Sequence, residues 1–474
     1  MSLCKRLIAR LDVKGTKLIK GIRFEGLKVV GDSCDAAINY YNKGVDEILY
    51  IDSVASLYGR NSLTEILKKT SKSIFIPITA GGGIRSISDG AKLLAAGADK
   101  IAINTALIKN PKLIKELAKE FGSQCVVVSI QARNSFSNQE WECLTEGGRE
   151  KSNLAVIDWI KKVQDLGAGE ILLTSVDNDG TCKGPDHKLI EAASQVAKIP
   201  LIVGGGISKV DEIKNCFKRK NITGVSLAAA LHYSKIAVSD VKNSLINADF
   251  TVRSTVKKSG NSNTDKLGSL RVGIIDYGMG NQQSLINAFT ELGIDTVLTS
   301  SKKELLNTNL IALPGVGSFP NGMNKLQKLG LAELLKERAK KGHPIIGICL
   351  GMQMLFDYGS EFQLTKGLSL IEGKVEKLNL DSSCDEVNIL PHVGWNKIYS
   401  NRENSKNPID QYFVHSYAAV DVPEKYVSYK CQYSGNQFVA AVNKDCISGF
   451  QFHPERSGLA GLKLLTEEIS KLIN

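Results

Sequence analysis

AGGGI at residues 80–84 and VGGGI at residues 203–207 are nearly identical and indicate how the first half of this chain folds. The same shift of 123 residues relates Glu47-Ile-Leu to Glu170-Ile-Leu. Chance rarely produces one shift twice, whereas two matched halves of a single domain produce it directly. We therefore predict a domain that is built from two similar halves.

Around these stretches, short β-branched runs alternate with longer helical patterns, such as those at 86–96 and 154–166. Eight strand–helix units in about 250 residues fit a closed barrel better than an open sheet. We predict an α/β fold that begins with a (β/α)8 TIM barrel. The eight runs begin near Leu7, Glu47, Ile74, Lys100, Cys125, Glu170, Leu201 and Gly224.

The stretch VKKSGNSNTDKLGS at 256–269 has almost no large apolar side chains, so it is predicted to be a tether. After it, a strand at 272–276 precedes a glycine-rich turn and a helix, and further strands are expected at 310–313 and 345–349. The pattern becomes richer in strands beyond Gly373. We predict a barrel at 1–253, a linker at 254–269 and a second α/β domain with a mixed sheet at 270–474.

The composition argues against several classes of protein. The 474 residues are 43% hydrophobic and 23% charged, unlike a disordered or collagen-like chain. The net charge of +11 is spread along the sequence, so no nucleic-acid partner is expected. No apolar run approaches the roughly 18 residues of a membrane span, and the N-terminus has no signal-peptide core. We therefore expect a cytoplasmic protein that does not act at a membrane. The histidines and cysteines are too scattered to form a set of metal ligands, and no metal or cofactor is expected.

The sharpest local signal in the second domain is Gly347-Ile-Cys349-Leu-Gly351. Glycines on both sides permit a tight strand-to-helix turn that exposes a nucleophile. A thiol at a helix N-terminus is favoured as the thiolate, and Gln353 lies one helical turn further on. Taken alone, however, a cysteine beside glycines is more often a small packing residue.

A candidate base lies in Gln451-Phe-His453-Pro-Glu455. In an extended segment the side chains of His453 and Glu455 point to the same face, so the carboxylate can orient the imidazole. Pro454 keeps the segment from becoming an α-helix. The alternative is an ordinary surface pair of histidine and glutamate.

Together, GICLGMQ at 347–353, QFHPERSG at 451–458 and PGVG at 314–317 resemble the class I (triad) glutamine amidotransferases over about 200 residues. The resemblance implies that Cys349 attacks the glutamine amide, that His453 takes the proton of the thiol and that Glu455 orients the His453 imidazole. It also implies an oxyanion hole formed by backbone N–H groups near Val316 and Leu350. IDYGMGNQQS at 275–284 and PHVGWN at 391–396 are most similar to the glutaminase subunit of imidazole glycerol phosphate synthase.

The barrel domain places polar residues where strands end, which is where (β/α)8 barrels carry their chemistry. Glycine-rich turns let backbone N–H groups approach an anion, so the two GGG turns are candidate phosphate sites, one in each half. RLDVKGTKLIKG at 10–21, AGGGIRS, GADKIAINT, TSVDNDGT and VGGGIS resemble the cyclase subunit of the same synthase. The resemblance implies that Asp12 is a catalytic acid/base and that a phosphorylated ribonucleotide is held by Gly82, Gly83, Asn104, Asp177, Gly205, Gly206, Ala228 and Ala229.

The opposite face of the barrel carries charges at or just before the starts of four strands. Two cations and two anions could close the barrel floor as a salt-bridged ring, although charges that flank strands are common. The resemblance implies that this ring is a gate for ammonia. Its members are Arg6, Glu47, Lys100 and Glu170.

One position departs from the cyclase pattern. CVVVSIQARN at 125–134 has Gln131 where the cyclases carry a second catalytic aspartate. An amide can orient a substrate but cannot serve as a general base near neutral pH. Two functions therefore remain open. Either the chain hydrolyses glutamine and forms imidazole glycerol phosphate and aminoimidazole carboxamide ribotide, or its barrel only conducts ammonia to a separate sugar amidotransferase of surface-polysaccharide synthesis.

Overall fold

A computed structural model of the chain describes residues 3–55, 63–135, 140–254, 270–381, 383, 388–401 and 407–473. The predicted tether at 256–269 lies outside these residues. The chain divides into two compact units. The first contains the described residues of 1–119, 123–253 and 385–394, and the second contains those of 120–122, 254–384 and 395–474.

The first unit contains a closed barrel of eight parallel strands, which confirms the predicted fold. Strands β1, β4, β5, β6, β7, β10, β11 and β12 pair in this order, and β12 pairs with β1 to close the barrel. The strands of this sheet in chain order are β1 (Arg6–Lys14), β2 (Lys17–Ile22), β3 (Glu25–Asp32), β4 (Glu47–Asp52), β5 (Ile78–Gly81), β6 (Lys100–Ile103), β7 (Val126–Ser135), β8 (Glu140–Thr145), β9 (Glu150–Ala155), β10 (Glu170–Ser175), β11 (Leu201–Gly204) and β12 (Ile222–Leu227).

Helices follow the barrel strands because their apolar residues recur at helical spacing and their first turns are capped. In α3, for example, Ser86 accepts a hydrogen bond from the Asp89 N–H, and Leu93 and Leu94 are buried. The described helices are α1 (Ser33–Asn42), α2 (Leu63–Thr70), α3 (Ile87–Ala95), α4 (Thr105–Lys109), α5 (Lys112–Phe121), α6 (Val156–Asp165), α7 (His187–Val196), α8 (Val210–Phe217), α9 (Ala229–His232) and α10 (Val238–Ile246), with a 3₁₀ turn at Ser123–Cys125.

Two antiparallel hairpins extend the barrel and are absent from the sequence prediction. The hairpin β2–β3 follows β1, and β8–β9 follows β7. Both continue strands that already belong to the barrel, so a search for alternating strands and helices does not separate them. The first hairpin carries Lys20 and Phe24, which line a cavity at the barrel mouth.

The second unit is an α/β domain around a mixed sheet of nine strands, as predicted. Five neighbouring strands, β14, β13, β15, β16 and β25, are parallel, and β24 and β23 continue the sheet in antiparallel fashion. The nine strands are β13 (Arg271–Ile275), β14 (Asp295–Thr299), β15 (Leu310–Leu313), β16 (Ile345–Ile348), β20 (His392–Ser400), β21 (Ile409–His415), β23 (Val427–Tyr433), β24 (Asn436–Lys444) and β25 (Ile447–Phe450). A separate sheet of four short strands contains β17 (Tyr358–Gly359), β18 (Thr365–Lys366), β19 (Lys374–Lys377) and β22 (Tyr417–Val420).

The described helices of the second unit pack on this sheet around an apolar core that includes Phe319, Leu335 and Phe356. Strand β16 ends one residue earlier than expected, so that Cys349 falls between it and the next helix. The helices are α11 (Gln282–Glu291), α12 (Lys302–Leu306), α13 (Phe319–Lys328), α14 (Leu331–Lys340), α15 (Leu350–Gln353) and α16 (Gly458–Ile473), with 3₁₀ turns at Glu424–Tyr426 and Pro454–Arg456.

Candidate active sites

The backbone of Cys349 makes a sharp turn between β16 and α15, with φ 53° and ψ −110°. This conformation is rare for a residue with a side chain and is typical of strained functional positions. The flanking glycines are required by packing, because a Cβ on Gly347 would lie 2.7 Å from the Met352 nitrogen and a Cβ on Gly351 would lie 1.8 Å from the Leu313 oxygen. The turn places the thiol at the start of a helix.

His453 and Glu455 form a buried pair, with 2.7 Å between Nδ1 and Oε1. The expectation of an extended segment is wrong, because Pro454–Arg456 forms a 3₁₀ turn, and this turn brings the two side chains together. Burial alone would lower the pKa of His453, but the Glu455 carboxylate and the Cys349 thiol raise it well above its ordinary value. Within the described residues, Nε2 has no hydrogen-bond partner. The imidazole is therefore held by Glu455 and influenced by Cys349.

Two glutamines connect this pair to the helix after Cys349. The Gln451 amide donates to the Cys349 sulfur at 3.7 Å, and the Gln353 amide donates to Gln451 Oε1 at 3.0 Å. Gln353 also donates to the Tyr417 carbonyl at 2.8 Å. The helical spacing predicts Gln353 beside Cys349, whereas no sequence pattern predicts a role for Gln451. The contacts make both part of the wall around the thiol.

The expected oxyanion donors lie next to each other, on the loop after β15 and at the start of α15. The Leu350 N–H donates to the Gly315 carbonyl across a long 3.4 Å, and Val316 follows Gly315 directly. A Cβ on Gly280 would lie 2.9 Å from the Val316 nitrogen, so this backbone is closely packed. The Leu350 N–H must leave the Gly315 carbonyl before it can bind an oxyanion.

Glu361 is a buried acid close to Tyr417, and the sequence predictions did not include it. It is 7% exposed, and its Oε2 accepts a hydrogen bond from the Phe319 N–H at 2.8 Å. Burial raises the pKa of Glu361 to about 7. Burial, and then the nearby Glu361 carboxylate, raise the pKa of the Tyr417 phenol. No motif marks this glutamate, because an acid eight residues beyond a helix has no distinctive spacing.

In the barrel, Asp12 lies between two basic side chains. Arg10 Nε donates to Oδ1 at 2.8 Å, and Lys20 Nζ donates to Oδ2 at 3.0 Å. Lys20 also reaches Asp179, at 2.6 Å. Although Asp12 is only 3% exposed and burial alone would raise its pKa, the two cations hold the pKa well below its usual range. Asp12 was predicted from the sequence, but Arg10 and Lys20 were not, because basic residues near a strand are common.

Gln131 lies on β7 and lines the same cavity as Asp12. Its buried Oε1 has no hydrogen-bond partner among the described residues. A buried amide oxygen without a partner carries a desolvation cost. Its position makes Gln131 available to a ligand in this cavity.

The two GGG turns border cavities of very different size. The first turn contributes Gly82 and Gly83 to a cavity of about 490 Å³ that Asn104 also lines. The second contributes Gly205 and Gly206 to a cavity of about 20 Å³, together with Ala228 and Ala229. All four glycines have φ between 73° and 107°, which favours glycine. Asp177 lies outside the lining of both cavities, and its carboxylate accepts a hydrogen bond from the Asn134 N–H at 2.8 Å.

On the opposite face, the four predicted floor residues form a closed ring of ion pairs. Arg6 contacts Glu47 at 2.7 Å and Glu170 at 2.5 Å. Lys100 contacts the same two carboxylates at 3.0 Å and 2.6 Å. All four residues are 0% exposed. Burial alone would raise the pKa of Glu170, but Arg6 and Lys100 lower it. The charges therefore balance within the ring.

Within the described ranges, no helix combines the length and apolar composition that crossing a membrane requires. The same part of the chain contains no group of three or more His, Cys, Asp or Glu side chains that could hold a metal ion.

The chain is similar to known proteins in both units. The family described as "Histidine biosynthesis protein" matches residues 6–237, and "Glutamine amidotransferase class-I" matches residues 273–471. The imidazole glycerol phosphate synthase subunit HisF of Legionella pneumophila is 55% identical over 207 residues, which is 44% of this chain and 97% of the relative. HisF of Bacillus cereus strain Q1 is 44% identical over 251 residues, which is 53% of this chain and 99% of the relative.

Proposed function

The chain belongs to the imidazole glycerol phosphate synthase family, with a HisF-type barrel followed by a class I glutamine amidotransferase domain, and we propose that it delivers ammonia from glutamine into the barrel. The observation that carries this proposal is that one chain contains both a Cys349–His453–Glu455 arrangement and a closed ion-pair ring in the barrel floor. We also propose that it acts in the cytoplasm.

In the glutaminase step, the Cys349 thiolate attacks the side-chain carbonyl carbon of L-glutamine. His453 gives a proton to the departing nitrogen, so ammonia leaves and a thioester remains. Water then attacks the thioester, with His453 as the base, and glutamate is released. The raised pKa of His453 supports this role, because a protonated imidazole stabilises the thiolate and supplies the proton.

Glutamine recognition is supported by Glu361 and Gln353. The α-ammonium group of glutamine needs an anion, and the buried Glu361 carboxyl has no cation within the described contacts. The bonds from Gln353 to the Tyr417 carbonyl and to Gln451 fix the neighbouring wall. We propose that Glu361 binds the α-ammonium group and that the two glutamines orient the amide towards Cys349.

The ring of Arg6, Glu47, Lys100 and Glu170 is the proposed entry for ammonia. It closes the end of the barrel opposite the cavity that contains Asp12, so a molecule that crosses it reaches the candidate substrate site. Its four side chains are fully buried and pair with one another, so bulk water does not reach their charges. Opening of this ring would let ammonia from glutamine hydrolysis reach the barrel cavity.

For the reaction in the barrel, the first candidate is cyclisation of a phosphorylated ribonucleotide to imidazole glycerol phosphate and aminoimidazole carboxamide ribotide. Asp12 and the two glycine turns support it. In this proposal Gly82, Gly83 and Asn104 hold one phosphate, and Gly205, Gly206, Ala228 and Ala229 hold the other, with Asp177 near the substrate.

A second candidate is favoured by Gln131 and by the ion pairs of Asp12. Gln131 has no titratable proton, and Asp12 is a weak base when two cations hold it. In this alternative the barrel conducts ammonia to a separate sugar amidotransferase of surface-polysaccharide synthesis.

The discriminating experiment offers the purified chain the histidine-pathway ribonucleotide, first with ammonium and then with glutamine. Formation of the imidazole product in both reactions supports the first candidate. Glutamate formation without any imidazole product supports the second. If the chain forms no glutamate in the presence of either the ribonucleotide or a sugar amidotransferase, the proposed ammonia delivery is wrong.

A further inference from the structure

Arg10 is the residue that the two cavities of the barrel mouth share. It lines the large cavity beside Gly82 and Gly83, and it also lines the small cavity beside Gly205 and Gly206. Any ligand that reaches from one glycine turn to the other must therefore pass the Arg10 side chain.

Three contacts hold Arg10 in this position. Its Nε donates to Asp12 at 2.8 Å, and its Nη1 donates to the Thr174 hydroxyl at 3.1 Å. The Phe24 ring of the first hairpin lies 5.3 Å from the guanidinium carbon, within the range of a cation–π contact. Because these contacts come from β1, β10 and the first hairpin, the guanidinium is held from several sides.

The cavity beside the second glycine turn is small, and a neighbouring loop is hydrogen-bonded to the turn. This cavity of about 20 Å³ has room for about one water molecule, whereas a phosphate group has five heavy atoms. The Gly206 carbonyl accepts a hydrogen bond from the Gly184 N–H at 3.0 Å. The Asn178 amide in turn holds the Gly184 carbonyl at 2.8 Å. The loop after β10 is therefore hydrogen-bonded to this turn.

The large cavity, beside the first glycine turn, is open to a ligand and lined by charged residues. Its lining contains five basic and three acidic side chains, so it favours an anionic ligand. Of the five basic residues, Arg10 and Lys20 are buried, whereas Arg85, Lys109 and Arg149 are exposed. At about 490 Å³ it is large enough for a sugar phosphate or a nucleotide.

We propose that Arg10 divides the barrel mouth and determines its specificity: the site takes a ligand with one phosphorylated end, bound at Gly82 and Gly83, and excludes an extended ligand with a phosphate at each end. This narrows the substrate class of the proposed ammonia-receiving barrel and rests on that function. It also favours the second candidate over cyclisation, because cyclisation requires the ribonucleotide with two phosphates.

The test is calorimetric binding to the full chain without glutamine. The probes are aminoimidazole carboxamide ribotide, which has one phosphate, and the histidine-pathway ribonucleotide, which contains this ribotide and a second phosphorylated arm. We expect the parent to bind the one-phosphate compound at least as tightly as the two-phosphate compound. Arg10→Ala should tighten binding of the two-phosphate compound at least tenfold, and the surface control Arg219→Ala should change neither affinity.

Asp12 keeps its ion pair with Lys20 in the Arg10 variant, so no buried carboxylate is left alone. Arg10→Gln provides a second variant of similar length, and melting temperatures establish that each protein is folded. The proposal is overturned if the parent binds the two-phosphate compound tenfold more tightly, if it binds neither compound, or if neither variant changes the ratio. Because binding is measured without turnover, failure of the glutaminase proposal would not alter these outcomes.

Discussion

Arg10 Nε donates a hydrogen bond of 2.8 Å to the carboxylate of Asp12, two residues further along the same strand. Residues i and i+2 of a strand share a face, so both side chains point towards the barrel cavity that they line. Lys20 occupies the other carboxylate oxygen. Asp12 therefore lies where it could contact a substrate in the cavity. Because two cations already balance its charge, its carboxylate is a poor acceptor for a substrate proton.

Restoring a carboxylate at position 131 should not by itself restore cyclisation. We expect Gln131→Asp to form imidazole product at no more than a few times the parent rate, because Asp12 remains paired with Arg10. Combining Gln131→Asp with Arg10→Ala should raise the rate by about 10²–10⁴-fold, the usual contribution of general acid–base groups. The assay follows the imidazole product with ammonium as the nitrogen source.

Arg10→Ala alone is the matched control for the double variant. A large gain from Gln131→Asp alone would show that the ion pairs leave Asp12 free to act. No gain in the double variant would show that other contacts for the cyclisation substrate are also missing.

Glutamine binding should depend on the protonation of Glu361. Its pKa of about 7 in the free protein means that the carboxyl loses its charge as the pH falls below 7. The KM for glutamine should therefore rise as the pH falls from 8 to 6, because the α-ammonium group requires the ionised form. Glu361→Gln should raise KM at pH 8 and remove the pH dependence.

The control is Glu372→Gln, which changes a surface glutamate paired with Lys444. It should leave the KM profile as in the parent. A profile in Glu361→Gln that still rises between pH 8 and 6 would assign the titration to another group.

The barrel ring should be sensitive to the loss of a single cation. Lys100→Met leaves Glu47 and Glu170 with Arg6 as their remaining partner in the ring, so two buried carboxylates share one positive charge. Breaking a buried ion pair costs about 3–5 kcal/mol, and we expect a clearly lower melting temperature. If the chain cyclises, the glutamate formed per imidazole product should also rise, because ammonia would escape.

Lys214→Met, which removes an exposed pair with Asp211, is the control for this variant. A melting temperature and a product ratio like those of the control would mean that the ring has neither a structural nor a coupling role.

The sequence was sufficient for the barrel and the mixed sheet because both follow from local patterns. Each of the eight β-branched runs is recognised from consecutive residues. The repeat is recognised by comparing residues 80–84 with residues 203–207. The ring charges at Arg6 and Glu47 could also be selected, because each lies at the start of a strand. Their hydrogen bonds depend on how the strands close.

Other features required the three-dimensional structure. Arg10 and Lys20 come together on Asp12 because a hairpin folds back over the barrel mouth, and no local pattern marked that hairpin. Glu361 becomes a candidate for binding glutamine only because the fold buries it beside Phe319 and Tyr417. The difference in volume between the two cavities cannot be predicted from two nearly identical GGG turns. Side chains and loops from elsewhere in the chain fill the space beside the second turn.

Release of ammonia from glutamine by Cys349 can be followed as the glutamate and labelled ammonia that form from amide-¹⁵N glutamine, with the histidine-pathway ribonucleotide present. The parent and the control Cys446→Ala, which changes a half-buried cysteine beside Ala339, should form both products at equal rates. Glutaminase activity of Cys349→Ala should fall about 10³-fold or more, because the proposed thioester is formed on the Cys349 sulfur. Glutamate formation by Cys349→Ala within twofold of the parent rate would contradict the account.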